Sequence, residues 1–298
     1  MSVAPAEAAR ELAQATPRAG LRALRPWRFV RRNPSLVAGA VVLAAFATLA
    51  LAAPYLPGDP LTMAPNLRLL PPGGDFPFGT DALGRDILAR TIHGARVSLL
   101  VGFLVAGCSV TIGLVIGLLA GSIRRADAPL MRLMDALMAI PAILLAIALV
   151  SLTRASVTTV VIAITIPEIP RVVRLVRSVV LGVREQPYVE AAIAGGARLP
   201  KIILRHILPS TVPPLIVQAT YVCASAILVE ATLSFLGAGS PPEIPSWGNM
   251  IASSRLYLAR APWTIFCPGI ALALVVLAVN LLGDGLRDRL DPRLARRM

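Results

Sequence analysis

Five stretches of this chain run for roughly twenty residues or more without a charge, and a bilayer crossing needs about 20 apolar residues. They are Leu36–Leu56, Val97–Ile123, Ala136–Thr153, Ile207–Val229 (extended through Glu230 to about Leu236) and Ala261–Gly283. Between the third and fourth of them only Ala155–Pro167 is free of charge before Glu168, so a helix there must turn polar residues toward one face of the membrane. The pattern predicts an all-α polytopic membrane protein with six transmembrane helices, or five if the Ala155–Pro167 segment fails to cross. Composition agrees: 56% of the 298 residues are hydrophobic and only 15% are charged. A soluble domain averages about 25% charged residues.

Basic residues set the orientation. With six spans and the N-terminus inside, the cytoplasmic pieces hold 22 of the 29 Lys and Arg residues. The long external piece, Gly58–Arg96, balances four Arg against four Asp. Basic residues concentrate on the cytoplasmic side of membrane proteins, so both termini are expected there. The net charge of +13 is accounted for in this way, and no basic patch interleaved with aromatics asks for a nucleic-acid partner. The expected partner of most of the surface is the lipid bilayer.

The division expected is a cytoplasmic basic tail over residues 1–34, a first span with its external loop over 35–96, a transmembrane core over 97–287 and a short cytoplasmic tail over 288–298. The first thirty residues are Ala/Arg-rich without a central apolar region, which does not suit a cleavable signal peptide. Trp27, beside the basic run ending at Arg32, suits a membrane interface.

Several chemistries lack their residues. A phosphate-binding Walker A loop needs Gly-Lys, and the single lysine, Lys201, follows Pro200. The two histidines, His93 and His206, are far apart and outside any His-Glu-x-x-His pattern, and no Gly-x-Ser-x-Gly occurs. Cys108, Cys223 and Cys267 all fall in apolar runs without paired spacing, as packing residues do. No catalytic residue, cofactor or metal is expected, and any ATP hydrolysis would belong to another chain.

The most informative stretch is EAAIAGGARLPKIILRHILP, Glu190–Pro209, a charged and glycine-broken segment in an otherwise apolar chain. Adjacent glycines break an amphipathic helix, and Ala191 and Ala192 leave a side-chain-poor surface open to close approach. The segment resembles the cytoplasmic EAA loop of permease subunits in bacterial ABC importers. Glu190, Ala191, Ala192, Gly196, Leu208 and Pro209 fall in register with that pattern, and His206 stands where the general pattern has Ile. The resemblance implies a coupling loop over 183–209 with a short helix at about Tyr188–Ala194. That helix would dock on a separate ATPase subunit, Glu190 meeting a basic group, Gly196 making a turn and Pro209 ending the segment.

Three further blocks carry the likeness. FGTDALGRDILARTIHGARVSLLVGF (Phe78–Phe103) is similar to the signature of the dipeptide, oligopeptide and nickel subgroup, with Gly79, Thr80, Asp81, Gly84, Arg85 and Asp86 at its head. Thr80 or Asp81 can cap a helix starting near Ala82, with Asp86 near its positive end. The family implies an external structure near the entrance of the translocation path. Leu228–Ile251 and Ala261–Arg293 complete the set. In them Gly237, Gly239, Pro241 and Pro242 end the fifth span, and Trp247 is placed at the outer interface.

Two ionisable groups stand out. Glu230 lies inside a span, where a charge is costly and marks function by default. It could line the path, or pair with Arg255 or Arg260 to hold a connection. Arg171, Arg174 and Arg177 recur at every third residue after Pro167 and Pro170, which are expected to break the helix before them. These arginines suit a cytoplasmic extension touching lipid phosphates. The family implies an ABC importer type I permease in the bacterial inner membrane. Its partners would be a second related permease, two ATPase subunits and an extracytoplasmic solute-binding protein. Di- or oligopeptides are the expected cargo, with nickel or another small solute the variant. A carrier working alone is the reading from a different class.

Overall fold

A computed structural model describes residues 33–56, 58–152, 155–241 and 243–290. The expectations for both tails, Trp27 among them, fall outside the described residues. The helices are α1 (Pro34–Ala52), α2 (Ile87–Ser122), α3 (Arg124–Ala139), α4 (Ala142–Ser151), α5 (Val157–Arg184) and α6 (Pro187–Ala194). After these come α7 (Leu199–Ile202), α8 (Leu208–Phe235), α9 (Trp247–Ser254) and α10 (Trp263–Leu290).

The expectation of six transmembrane helices is not met. Among the described residues, four helical stretches are long and apolar enough to cross a bilayer: Pro34–Tyr55, Ile87–Ser122, Leu199–Phe235 and Trp263–Leu290. A fifth is reached only by joining α3 and α4, which meet at an 85° bend. Pro141, at the start of α4, has no N–H to continue the ladder from α3. The fourth expected span is the one that fails. Its helix, α5, has the length, but places Glu168, Arg171, Arg174, Arg177 and Arg184 in its C-terminal two-thirds.

Pro167 and Pro170 do not break α5, which runs unbroken through both. Its partners explain why it holds. In a membrane, neighbouring helices can support the backbone groups that a proline frees, and α5 is packed along its length against α2 and α8. The α2–α5 contact is built on glycine. A Cβ on Gly113, Gly117 or Gly121 would stand 2.5, 2.6 and 2.7 Å from the Cβ atoms of Val172, Val176 and Val180. Small residues four apart let two backbones approach until a valine fills each gap. Gly102 does the same for Ile227 of α8, 2.7 Å away on the same construction.

α10 lies against α8, and α9 sits between them. At its far end α10 returns to the start of α1, where Gly285 leaves room for Leu36. The first and last described helices thus begin and end beside each other. Among its described residues, the segment between α1 and α2 contains two short 3-10 turns and is otherwise irregular.

Candidate functional site

The segment expected to couple is a helix, a turn and a rod. α6 starts with Pro187 in its first turn, where a missing N–H costs nothing, and covers the expected Tyr188–Ala194. It ends in paired bonds: Gly196 N–H to Ile193 O at 2.9 Å and Ala197 N–H to Ala192 O at 3.0 Å. This closure needs a left-handed residue, and Gly196 supplies it with φ +77°. Val189 is fully buried and anchors α6, while Tyr188, Glu190, Ala191 and Ile193 are exposed. The Tyr188 and His206 rings lie 6.2 Å apart, so the structure brings together residues from both arms of the loop.

Pro209 does not end the segment. α7, a π-turn at Ile203–Ile207 and α8 form one continuous helical stretch, Leu199–Phe235, with Pro209 in the first turn of α8. Ile202 and Ile207 are buried, whereas Leu199 and Leu204 stay exposed beside Arg198, Lys201 and Arg205.

The arginines of α5 bind protein and not only solvent or lipid. Arg177 makes two bonds to Asp127 of α3, at 2.6 and 2.7 Å, and Arg174 reaches Asp135 at 2.7 Å. Arg171 pairs with Glu168 at 3.2 Å. Glu168 is buried and also accepts from Ser225 Oγ of α8 at 3.2 Å. Arg184 donates to the Gly121 carbonyl at 2.8 Å, which ties the lead into α6 to the end of α2.

The external signature folds as a buried polar knot at the other end of α2, which at 36 residues is about 54 Å long. The helix starts at Ile87, not near Ala82, and its cap is Asp86, whose carboxylate accepts from Leu88 N–H at 2.8 Å. Thr80 and Asp81 close the turn before it. Thr80 Oγ1 accepts from Leu70 N–H at 2.8 Å and donates to Leu67 O. Asp81 accepts from the backbone of Leu83 and Arg85 and pairs with Arg85 Nε at 2.7 Å. Arg90, 2% exposed, sits 3.8 Å from the same carboxylate and donates to Pro60 O at 3.0 Å. Gly79 and Gly84 both have φ +74°, and a Cβ on Gly84 would strike the Ala64 carbonyl.

Glu230 is fully buried and pairs with neither Arg255 nor Arg260. Its Oε1 accepts from Ser234 Oγ at 2.9 Å and Ser240 Oγ at 3.3 Å. Its Oε2 has no hydrogen-bond partner among the described residues. Asn249 extends this cluster, donating to the carbonyls of Ser240 and Pro241 at 3.0 and 3.1 Å. Gly237, at φ +82°, ends α8 as expected, with Ala238 N–H bonded to Leu233 O at 2.8 Å. Trp247 does not present its ring to lipid or water. It is fully buried, donates to Thr91 O at 2.9 Å and stacks edge-on to Phe46.

Residues 113–296 match the family model described as binding-protein-dependent transport system inner membrane component. The chain belongs to that family. The matched span of this transport component holds the coupling segment and Glu230, and relatives extend the likeness over the external knot. The probable peptide ABC transporter permease protein y4tQ of Sinorhizobium fredii is 61% identical over 270 residues, 91% of this chain and 93% of its own. The di/tripeptide transport system permease protein DppC of Pseudomonas aeruginosa is 44% identical, covering 90% of this chain and 91% of its own. A chain of the inward-facing MetNI methionine ABC transporter superimposes with TM-score 0.58 at 19% identity, over 69% of this chain and 98% of that one. That likeness gives the fold, an all-α ABC-importer architecture.

Sequence reasoning missed the serines around Glu230, the acidic partners on α3 and the burial of Trp247. The spacing Gly113-x3-Gly117-x3-Gly121 was a signal that could have found the α2–α5 contact.

Proposed function

We propose that this family member is a permease subunit of an ATP-driven importer of di- and oligopeptides, coupled to its motor through α6. The observation that carries the coupling is an exposed Glu-Ala-Ala helix, anchored by Val189 and closed at Gly196, joined to helices at both ends. The peptide cargo is supported by the names of the relatives. A second related permease, two ABC ATPase subunits and an extracytoplasmic solute-binding protein complete the machine.

In this reading Ala191 and Ala192 admit a close-fitting cleft on an ATPase, and Glu190 accepts a charge-assisted hydrogen bond from a basic group there. Closure of the two ATPases displaces α6. One arm passes the motion along the rod into α8, and the other passes it through Arg184 to α2 and α5. Both termini and α6 face the cytoplasm in the bacterial inner membrane. The basic-residue bias and the contact of Gly285 with Leu36, near the last and first described residues, support this.

The test is purification of a tagged copy from its native host in a gentle detergent, with mass spectrometry of what accompanies it. A second polytopic permease and one or two Walker-A ATPases are expected, and Glu190→Lys should lose the ATPases at unchanged membrane abundance. Recovery of this chain alone, active in liposomes without ATP, would overturn the proposal.

A further inference from the structure

A cavity of about 640 Å³ opens between the external knot and the α8–α9 connection. That volume falls in the range of small-molecule sites, about 300–1,000 Å³. Its charges are distributed unevenly. On the knot wall Arg85 and Arg90 share one carboxylate, Asp81, and Arg85 holds it at 2.7 Å while Arg90 stands at 3.8 Å. One guanidinium charge on that wall is therefore left without a full counter-charge.

Arg255, after α9, also lines the cavity, and so does Glu243 on the connection. Both are exposed, and neither forms an ion pair among the described residues. Ser234 and Ser240 belong to the same wall, and behind them lies Glu230 with its partnerless oxygen. Phe235 and Leu236 add apolar surface to the lining. An isolated cation and an isolated anion around one apolar-floored cavity match a short zwitterion better than a single ion.

We propose that this cavity receives a short linear peptide, its carboxylate at Arg255 within the field of Arg90 and its ammonium group at Glu243. The inference rests on the peptide-importer reading and adds a binding site on this chain, apart from the solute-binding protein. Arg90 is positioned by its bond to Pro60 and supplies field from a buried setting. Arg255 and Glu243 are the direct contacts. Because neither forms an ion pair among the described residues, replacing either removes a contact to the peptide without orphaning a charged protein group.

The test uses the assembled permease–ATPase complex in lipid nanodiscs, without binding protein, and the photoreactive dipeptide alanyl-p-benzoylphenylalanine. After irradiation, adducts are expected within residues 234–255 and are competed by Ala-Ala. A charge-assisted contact is worth about a tenfold change in occupancy, so Arg255→Gln and Glu243→Gln should each lower adduct yield by about that factor. Cyclic dialanine, which lacks both charged termini, should compete poorly. Unchanged yield in both variants, or equal competition by the cyclic compound, overturns the proposal. So does unchanged yield in variants that, in a separate pull-down with the binding protein added, no longer retain it, which would make the cavity a dock for that protein. ATP-driven Ala-Ala uptake by the complete importer separates the two levels. Intact uptake without cavity adducts sinks this site alone, whereas absent uptake sinks the peptide reading together with it.

Discussion

Gly117→Ala should destabilise the protein although it replaces glycine by the best helix former. A Cβ there would lie 2.6 Å from Val176 Cβ, 2.9 Å from its Cγ1 and 3.0 Å from the Val173 carbonyl oxygen. Carbon atoms rest about 3.5–4.0 Å apart. The first neighbour is fixed to the backbone and the last is backbone, so no rotamer change relieves the overlap. α2 and α5 must separate by about 1 Å, which also loosens the contacts of Gly113 and Gly121 on either side. Overpacking of this kind costs about 1–3 kcal/mol, against a gain of up to about 1 kcal/mol in helix propensity. From the middle of the first range, the net loss is about 1 kcal/mol. Gly107 of the same helix has nothing within 4 Å of its built Cβ. Gly107→Ala should be neutral or stabilising by up to about 1 kcal/mol. Thermal unfolding of the purified variants in one mild detergent compares them directly. Adding Val176→Ala to Gly117→Ala should restore part of the loss, since it removes the atoms that collide. Equal stability of the Gly107 and Gly117 variants, or no recovery in the double variant, would refute the packing argument.

Asp81→Asn leaves Arg85 and Arg90 buried without their shared carboxylate. Breaking a buried pair costs about 3–5 kcal/mol, so the variant should be depleted from the membrane, as a quantitative blot would read. Gly196→Ala forces a residue with a Cβ into a left-handed turn at a cost of about 1–2 kcal/mol. This strain falls on an exposed loop, so uptake should drop in a radiolabelled peptide assay while membrane abundance stays near normal; full uptake would count against a rigid turn.

What could be read from the chain was whatever is written locally. The coupling helix, its closure at Gly196 and the end of α8 at Gly237 each follow from a few adjacent residues, and each is where the pattern puts it. What could not be read depends on partners distant in sequence. Arg174 and Arg177 looked like lipid-facing cations because Asp135 and Asp127, 39 and 50 residues earlier, become neighbours only when α3 packs on α5. α2 begins ten residues before its uncharged run, because Arg90 can be buried once Asp81 and the Pro60 carbonyl are folded beside it. The span count failed for a related reason. Charge-free length identified α1, α2, α8 and α10, but α5 keeps a carboxylate and several guanidinium groups among partners that no hydropathy pattern contains. Trp247 has an interfacial composition signal and a core position, decided by the Thr91 carbonyl and the bare surface of Gly94.

The π-turn at Ile203–Ile207 fixes the angular phase of the coupling arm. Such a turn amounts to one extra residue within an α-helix, and each α-helical residue advances about 100° around the axis. Were that residue deleted, α7 and the loop beyond it would be indexed about 100° around the axis of α8, with the rod still continuous. The face of α6 offered to a motor subunit is thus set by a residue count in the rod as well as by the side chains of α6 itself.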